Sequence, residues 1–421
     1  MIMKALVFNY KLYRLALSRI LGTFYLKGYL SKLGSLQLKN LSFPRLKTND
    51  WCVVKTKYCG ICGSDQKQIF LDGNYDNPIT ALISWPQTLG HEAVGVVDKV
   101  GKSSNLKSGD RVALNPWISC EPRDIKPICS ACEEGKKYLC RNFTKGILNP
   151  GIHTGNSSDA TGGFAEFFPA HKTMAIKVPD SVSLEQATLS DPFSVVLHSI
   201  LKVNLREGSI CGVYGCGNLG LLTIHFLKSI YEDVTVIAIA RFPHQIEMAK
   251  RFGADLVIKS SPPSRVIESV GDYLNCDVYY LKRNKPWLIE GIDFLFDTVA
   301  SAETLETGLR IVKSRLVDFK NNKESSGVIV LTGVHVPKRF EWTPWYFKEI
   351  NIIGSNAFSI ESFEGIREHA YYHYFRLLEE GRIDPTPIFS HKFLLRDYKK
   401  AFVVARNQEK FKSIKVKFYF D

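Results

Sequence analysis

Through roughly its first 190 residues the chain sets short apolar runs between turn-forming residues, as in Ala93-Val94-Gly95-Val96-Val97 and Arg111-Val112-Ala113-Leu114. Short, β-branched runs bounded by Gly, Pro and Asn predict strands, so this part reads as mostly β. Met3-Lys4-Ala5-Leu6-Val7-Phe8 predicts a strand at the front, followed by an amphipathic stretch over residues 10–26. From about Val195 the pattern changes. Apolar runs at 210–214 and 234–240 alternate with helical periodicity over about 219–230 and 244–252. That alternation predicts a parallel, doubly wound sheet. Runs at 294–297 and 327–333 predict later strands of the same sheet, ending in small or polar residues at the edge where such sheets bind ligands. Residues 279–290 are polar and irregular and predict a surface insertion. From about Asn356 the pattern returns to helix and then to a strand-like 414–420, with no internal repeat and no low-complexity linker.

With 421 residues, 45% hydrophobic and 23% charged, the chain has material for two cores. The formal charge of +13 is concentrated at the front, where nine Lys and Arg residues precede the first acidic one, Asp50. Such a segment suits a presequence, a membrane-surface helix or a solvated basic insertion. The insertion is favoured, because removing a presequence would take the first strand with it. Charge alone would also suit nucleic acid, but nothing else supports that partner. No apolar run approaches the roughly 18 residues of a membrane span. The ten cysteines fit metal and core positions in a reducing cytoplasm better than a disulfide scaffold.

Gly215-Cys216-Gly217-Asn218-Leu219-Gly220 follows an apolar strand and opens a helix, the context in which backbone N–H groups receive a pyrophosphate. At the end of the next strand, where a carboxylate would accept the adenosine ribose hydroxyls, stand Ala240 and Arg241. A small residue and a guanidinium accommodate a 2′-phosphate, which favours NADP over NAD.

Cys120, Cys129, Cys132 and Cys140 lie within 21 residues. Four thiolates close a tetrahedral zinc shell with no open position, which marks a structural site. Cys62 and His91 are of another kind, since no second sulfur cluster completes them. Glu92 and Asp191 are the carboxylates able to finish that shell while leaving room for a substrate oxygen.

Taken in order, Gly60-Ile61-Cys62-Gly63-Ser64-Asp65, Gly90-His91-Glu92-Ala93-Val94-Gly95, Gly109-Asp110-Arg111-Val112, the Cys129–Cys140 group, Gly162-Gly163-Phe164-Ala165-Glu166 and the glycine loop resemble the zinc-dependent alcohol dehydrogenases of the medium-chain dehydrogenase/reductase superfamily. The resemblance implies a GroES-like, β-rich catalytic domain over 1–193 with 356–421, and a Rossmann domain over 194–355. It also implies roles. Cys62 and His91 match the catalytic zinc ligands, Glu92 the adjacent glutamate that approaches the metal, and Asp191 a position where other members place a Cys, Glu or Gln ligand. Ser64 matches the hydroxyl that carries the substrate proton away, and Asp65 the carboxylate that orients the ligating imidazole. Lys67 stands near where some members carry a relay histidine. Two zinc ions per chain, a nicotinamide cofactor, an alcohol or carbonyl substrate and a homo-oligomer follow as expectations. The alternatives are an NADPH-dependent carbonyl or enone reductase and a non-catalytic NADPH-binding protein.

Overall fold

The computed structural model describes residues 2–73, 77–102, 104–281, 284–318, 323–333, 340–341 and 343–421. The chain divides into two compact units. The first comprises Met1–Asp191, Phe358–Glu379 and Phe389–Asp421, and the second Pro192–Ala357 and Glu380–Ile388. The stretch Glu380–Ile388 thus falls in the second unit, although the sequence reading placed all of 356–421 in the first.

The first unit is built on antiparallel strands. β1 (Ile2–Phe8) pairs with β2 (Leu36–Ser42) from Ile2↔Ser42 to Phe8↔Leu36. The amphipathic stretch between them forms α1 (Leu12–Phe24), followed by a 3-10 turn, Leu26–Leu30. Leu30 and Leu36 anchor this hairpin in the main core. The larger sheet centres on β3 (Trp51–Gly60), which pairs antiparallel with β4 (Glu92–Val100), with Phe167–His171 and with the C-terminal strand Lys415–Tyr419. Phe164, Phe402 and Phe418 pack edge-on at 5.1–5.9 Å in the core beneath it. A strand near residue 55 and one at the C-terminal end of the chain are thus neighbours in one sheet, and the ladder between them pairs their backbone groups.

The second unit is a six-stranded sheet in the order Leu256–Lys259, β6 (Thr235–Ala240), β5 (Ile210–Tyr214), Phe294–Asp297, Val328–Leu331 and Asn351–Gly354, with every pair parallel. Strands 236–240 and 329–330 are wholly apolar and fully buried, as expected where helices cover both faces. The order reverses between β5 and Phe294–Asp297, the switch point at which doubly wound sheets open a crevice. The fold is therefore the GroES-like plus Rossmann pair. One expectation is corrected. Residues 279–290 are not an irregular insertion: Val278–Leu281 and Asn284–Leu288 form an antiparallel hairpin, and Leu288 is fully buried beside Leu295. Tyr279 and Tyr280 are exposed while Leu288 is buried, a pattern too short to read from periodicity.

Candidate active site and metal centres

β3 and β4 bring distant motifs together by register. Gly60 lies opposite Glu92, so continuing the ladder by two residues sets Cys62 beside the loop that carries His91. The C-terminal strand lies opposite β3 with Lys417 facing Gly60, and the Ile61 N–H donates to Val416 O at 2.9 Å. Lys415 therefore arrives at the same place from more than 320 residues away. A ring nitrogen of His91, Sγ of Cys62 and a carboxylate oxygen of Glu92 all fall within 4.8 Å of one another. A thiolate, an imidazole and a carboxylate converging at that spacing fit a borderline-soft divalent cation such as zinc.

Each donor is held from behind. Cys62 caps α2 (Gly63–Ile69): its sulfur accepts the Asp65 N–H, while the Asp65 carboxylate accepts the Cys62 N–H at 2.9 Å. Asp65 is buried, and its other oxygen lies 3.9 Å from His91 Nδ1, where it biases the ring's orientation. Burial works against charge on His91, but the Cys62 thiolate, Asp65 and Asp191 together hold its pKa well above the ordinary histidine value. That negative field is the one a divalent cation would meet. Glu92 forms a fully buried ion pair with Lys415, whose ammonium also reaches Ile61 O at 3.5 Å. A Cβ at Gly60 would stand 2.0 Å from the Glu92 carboxylate, so only glycine leaves room for this pair.

Asp191 is buried at the head of the helix Ser190–Ile200, within the field of His91, Glu92, Lys415 and Asp65. Burial, reinforced by Glu92 and Asp65, pushes its pKa up to about 7. Its oxygens are not among the donors that lie within 4.8 Å of one another. Tyr371, fully buried, adds a hydroxyl that donates to Leu114 O at 2.8 Å and interacts with Ser190 and Asp191. Ser64 is exposed in the first turn of α2, and Lys67 is half-buried one turn on.

Besides Tyr371, three neighbours escaped the sequence reading. Lys415 looks like an ordinary strand lysine until the ladder places it. His153 lies with its ring 4.9 Å from that of His91, and its Nδ1 pairs with Thr154 O at 2.8 Å. Burial, then the nearby His91 charge, lowers its pKa to about 3, so it stands neutral. Trp117 packs edge-on to it at 6.2 Å. No spacing signal links His153 or Trp117 to His91.

The four cysteines meet in a separate lobe. Cys140 Sγ lies 3.6 Å from Cys120 Sγ and 3.9 Å from Cys129 Sγ. Zn–S bonds of about 2.3 Å in a tetrahedron require S···S edges of about 3.8 Å, whereas a disulfide requires about 2.05 Å. The N–H groups of Cys129, Arg141 and Asn142 and the Asn142 amide donate to these sulfurs at 3.2–3.5 Å, which suits thiolates. Behind them Arg123, completely buried, donates its five N–H groups to the carbonyls of Ile118, Lys145, Leu148, Asn149 and Gly151 at 2.8–3.1 Å. The extra residues between Cys120 and Cys129 are thus part of a built lobe.

In the second unit the glycine loop joins β5 to α3 (Asn218–Ile230), with Gly217 at the N-cap. A Cβ at Gly220 would stand 1.9 Å from Gly215 O, so helix and turn close only around glycine. A Cβ at Gly217 would meet nothing within 4 Å, which leaves an open cradle at the helix N-terminus. Asn218 Oδ1 is buried there without a hydrogen-bond partner, and Leu219 is half-buried beside it. Open N–H groups, an orphaned polar atom and a missing Cβ together fit a pyrophosphate. Ala240 is buried at the end of β6. Arg241 next to it is exposed, with its guanidinium 5.2 Å from the Phe242 ring and no carboxylate partner among the described residues.

Two family profiles match the chain: the alcohol dehydrogenase GroES-like domain over residues 48–180 and the zinc-binding dehydrogenase over residues 219–370. Among curated proteins, the chain is 28% identical over 354 residues to the (R,R)-butanediol dehydrogenase of Saccharomyces cerevisiae, covering 80% of this chain and 84% of that one. It is 26% identical over 380 residues to the L-idonate 5-dehydrogenase of Vitis vinifera, covering 89% of each. Among solved structures, the 2R,3R-butanediol dehydrogenase from Bacillus subtilis superposes with a TM-score of 0.71 at 21% identity over 100% of both chains.

Proposed function

Because the chain belongs to the zinc-dependent alcohol dehydrogenases of the medium-chain dehydrogenase/reductase superfamily and is an oxidoreductase, we propose that it transfers a hydride between NADP(H) and the carbinol or carbonyl carbon of a small diol or polyol. The observation that carries this reading is the convergence of Cys62, His91 and Glu92 within 4.8 Å at the edge of a buried carboxylate field. Cys62 and His91, with Glu92 or Asp191 as the third donor, would hold zinc, which supplies Lewis acidity toward the substrate oxygen.

The remaining roles belong to this chain's own groups. Asp65 fixes the His91 ring by opposing Nδ1 and by tying down the Cys62 backbone. Lys415 restrains the Glu92 carboxylate and sets how far it travels toward the metal. Ser64, exposed on α2, takes up the proton released from the substrate hydroxyl and passes it to water. In the other unit, the N–H groups at Gly217–Gly220 receive the pyrophosphate and Arg241 pairs with a 2′-phosphate. Diols and polyols are favoured because the curated relatives are dehydrogenases of butanediol, idonate and sorbitol.

Titrating the purified protein with NADPH and NADH by nicotinamide fluorescence, with zinc counted on the same sample, tests this reading. Tighter NADPH binding, two zincs per chain and turnover of vicinal diols are expected. Arg241→Ala should weaken NADPH by about tenfold or more and leave NADH nearly unchanged, as loss of one charged phosphate contact predicts. Equal affinity for both cofactors would remove the NADP assignment.

A further inference from the structure

The front of the chain carries a surface that the dehydrogenase chemistry does not use. α1 is apolar on two sides. Its inner side packs into the hairpin through Leu15 and the buried Ser18, whose hydroxyl accepts the Ser35 N–H at 3.0 Å. Its outer side presents Leu12, Ala16, Ile20 and Phe24 at successive four-residue steps, so these lie along one stripe of about 18 Å. Leu12 is 79% exposed, Ile20 56% and Phe24 80%, and Tyr13 and Tyr25 flank them in the open. Folding has not buried these residues although the hairpin itself is well ordered by Leu30 and Leu36 in the core.

Charge selects the occupant. Lys11 at the N-cap of α1, Arg19 on α1, Lys27 in the 3-10 turn after it and Lys32 beyond are all exposed, and no acidic residue occurs before Asp50. A second copy of this face would bring like charges together. Nucleic acid would leave the apolar stripe in water. An anionic bilayer takes up both features at once: apolar and aromatic side chains enter the acyl boundary, and cations meet headgroup phosphates. We propose that α1 lies in the plane of an anionic lipid surface and docks the enzyme there reversibly.

The full-length protein is tested by cosedimentation with vesicles of phosphatidylcholine alone or with one-third phosphatidylserine, at 50 and 500 mM salt. Binding is expected only with phosphatidylserine, and at least tenfold weaker at the higher salt. The exposed double variant Ile20→Glu with Phe24→Glu should lose binding by tenfold or more, and Lys11→Glu with Lys27→Glu should do likewise at about fivefold per charge removed. Each variant is accepted if its thermal unfolding matches wild type, and the second carries the test should the first not fold. No wild-type binding at 50 mM salt, or equal binding by the variants, overturns the proposal. So does concentration-dependent self-association, or retention on polyglutamate, that the Ile20 and Phe24 changes abolish while vesicles stay unbound.

Discussion

At the scale of single residues, the candidate metal site is a set of donors each restrained by a partner that is not itself a donor. Asp65 restrains His91 and Cys62, and Lys415 restrains Glu92. Asp65→Asn keeps the shape but removes the charge opposite Nδ1, so metal affinity or turnover should fall about 10- to 100-fold, read from zinc retention against a chelator and from kcat/KM. Unchanged zinc retention and turnover would show that Asp65 only caps α2. Lys415→Met leaves the Glu92 carboxylate buried without its cation and should destabilise the first unit by about 3–5 kcal/mol, whereas Lys415→Arg should restore most of it. If Met and Arg unfold alike, the pair has no such role. Of these residues, Cys62, His91, Glu92 and Asp65 stood out in the sequence because their chemistry sits in short motifs. Lys415, His153 and Tyr371 did not, because what defines them is burial beside those motifs, and a lysine in an alternating strand usually faces water.

At the scale of elements, the register of β3 against β4 and against the C-terminal strand does the assembling. A slip of one residue would turn every side chain to the opposite face and separate Cys62 from His91. The cysteine lobe depends instead on a cation in place of regular structure. Arg123 satisfies five carbonyls of loop segments that have no ladder of their own. Lysine has three donors, so Arg123→Lys leaves at least two buried carbonyls unpaired at about 1–3 kcal/mol each. The expected result is a lower unfolding temperature and, where the four cysteines hold zinc, faster loss of that zinc to a chelator; identical curves would sink this account. In the nucleotide loop, Gly220→Ala forces a Cβ onto Gly215 O and should abolish cofactor fluorescence while leaving vesicle binding and the cysteine lobe intact.

At the scale of the whole molecule, both units hold neutral histidines away from the candidate metal centres. Burial lowers the pKa of His171 to about 4, and its Nδ1 contacts Thr173 Oγ1 at 2.9 Å. Burial also lowers that of His225 to about 4, and its Nε2 accepts the Asp384 N–H at 3.0 Å, a bond that protonation destroys. These folded values lie below the unfolded value near 6.5, so their stabilisation is complete above pH 6.5. It is lost as pH falls toward 4, where the unfolded chain takes up protons that the folded chain refuses. Urea midpoints should therefore drop between pH 7.5 and 5, and His225→Asn should flatten that slope for the second unit. A slope unchanged by the substitution would assign acid sensitivity elsewhere.

The sequence by itself determined the fold class, the change from β to alternating α/β texture near residue 195, the cysteine spacing and the nucleotide loop. Each of these is a local pattern, in which period, turn residues or ligand spacing act over at most some twenty positions. Only the tertiary structure decided that residues 415–419 pair with β3 just before Cys62, that 278–288 is a hairpin with Leu288 in the core, and that α1 turns an apolar stripe outward. Those outcomes rest on which faces find partners across hundreds of residues. Burial is a property of the packed chain, and a periodicity that fits an inner face fits an exposed one equally well.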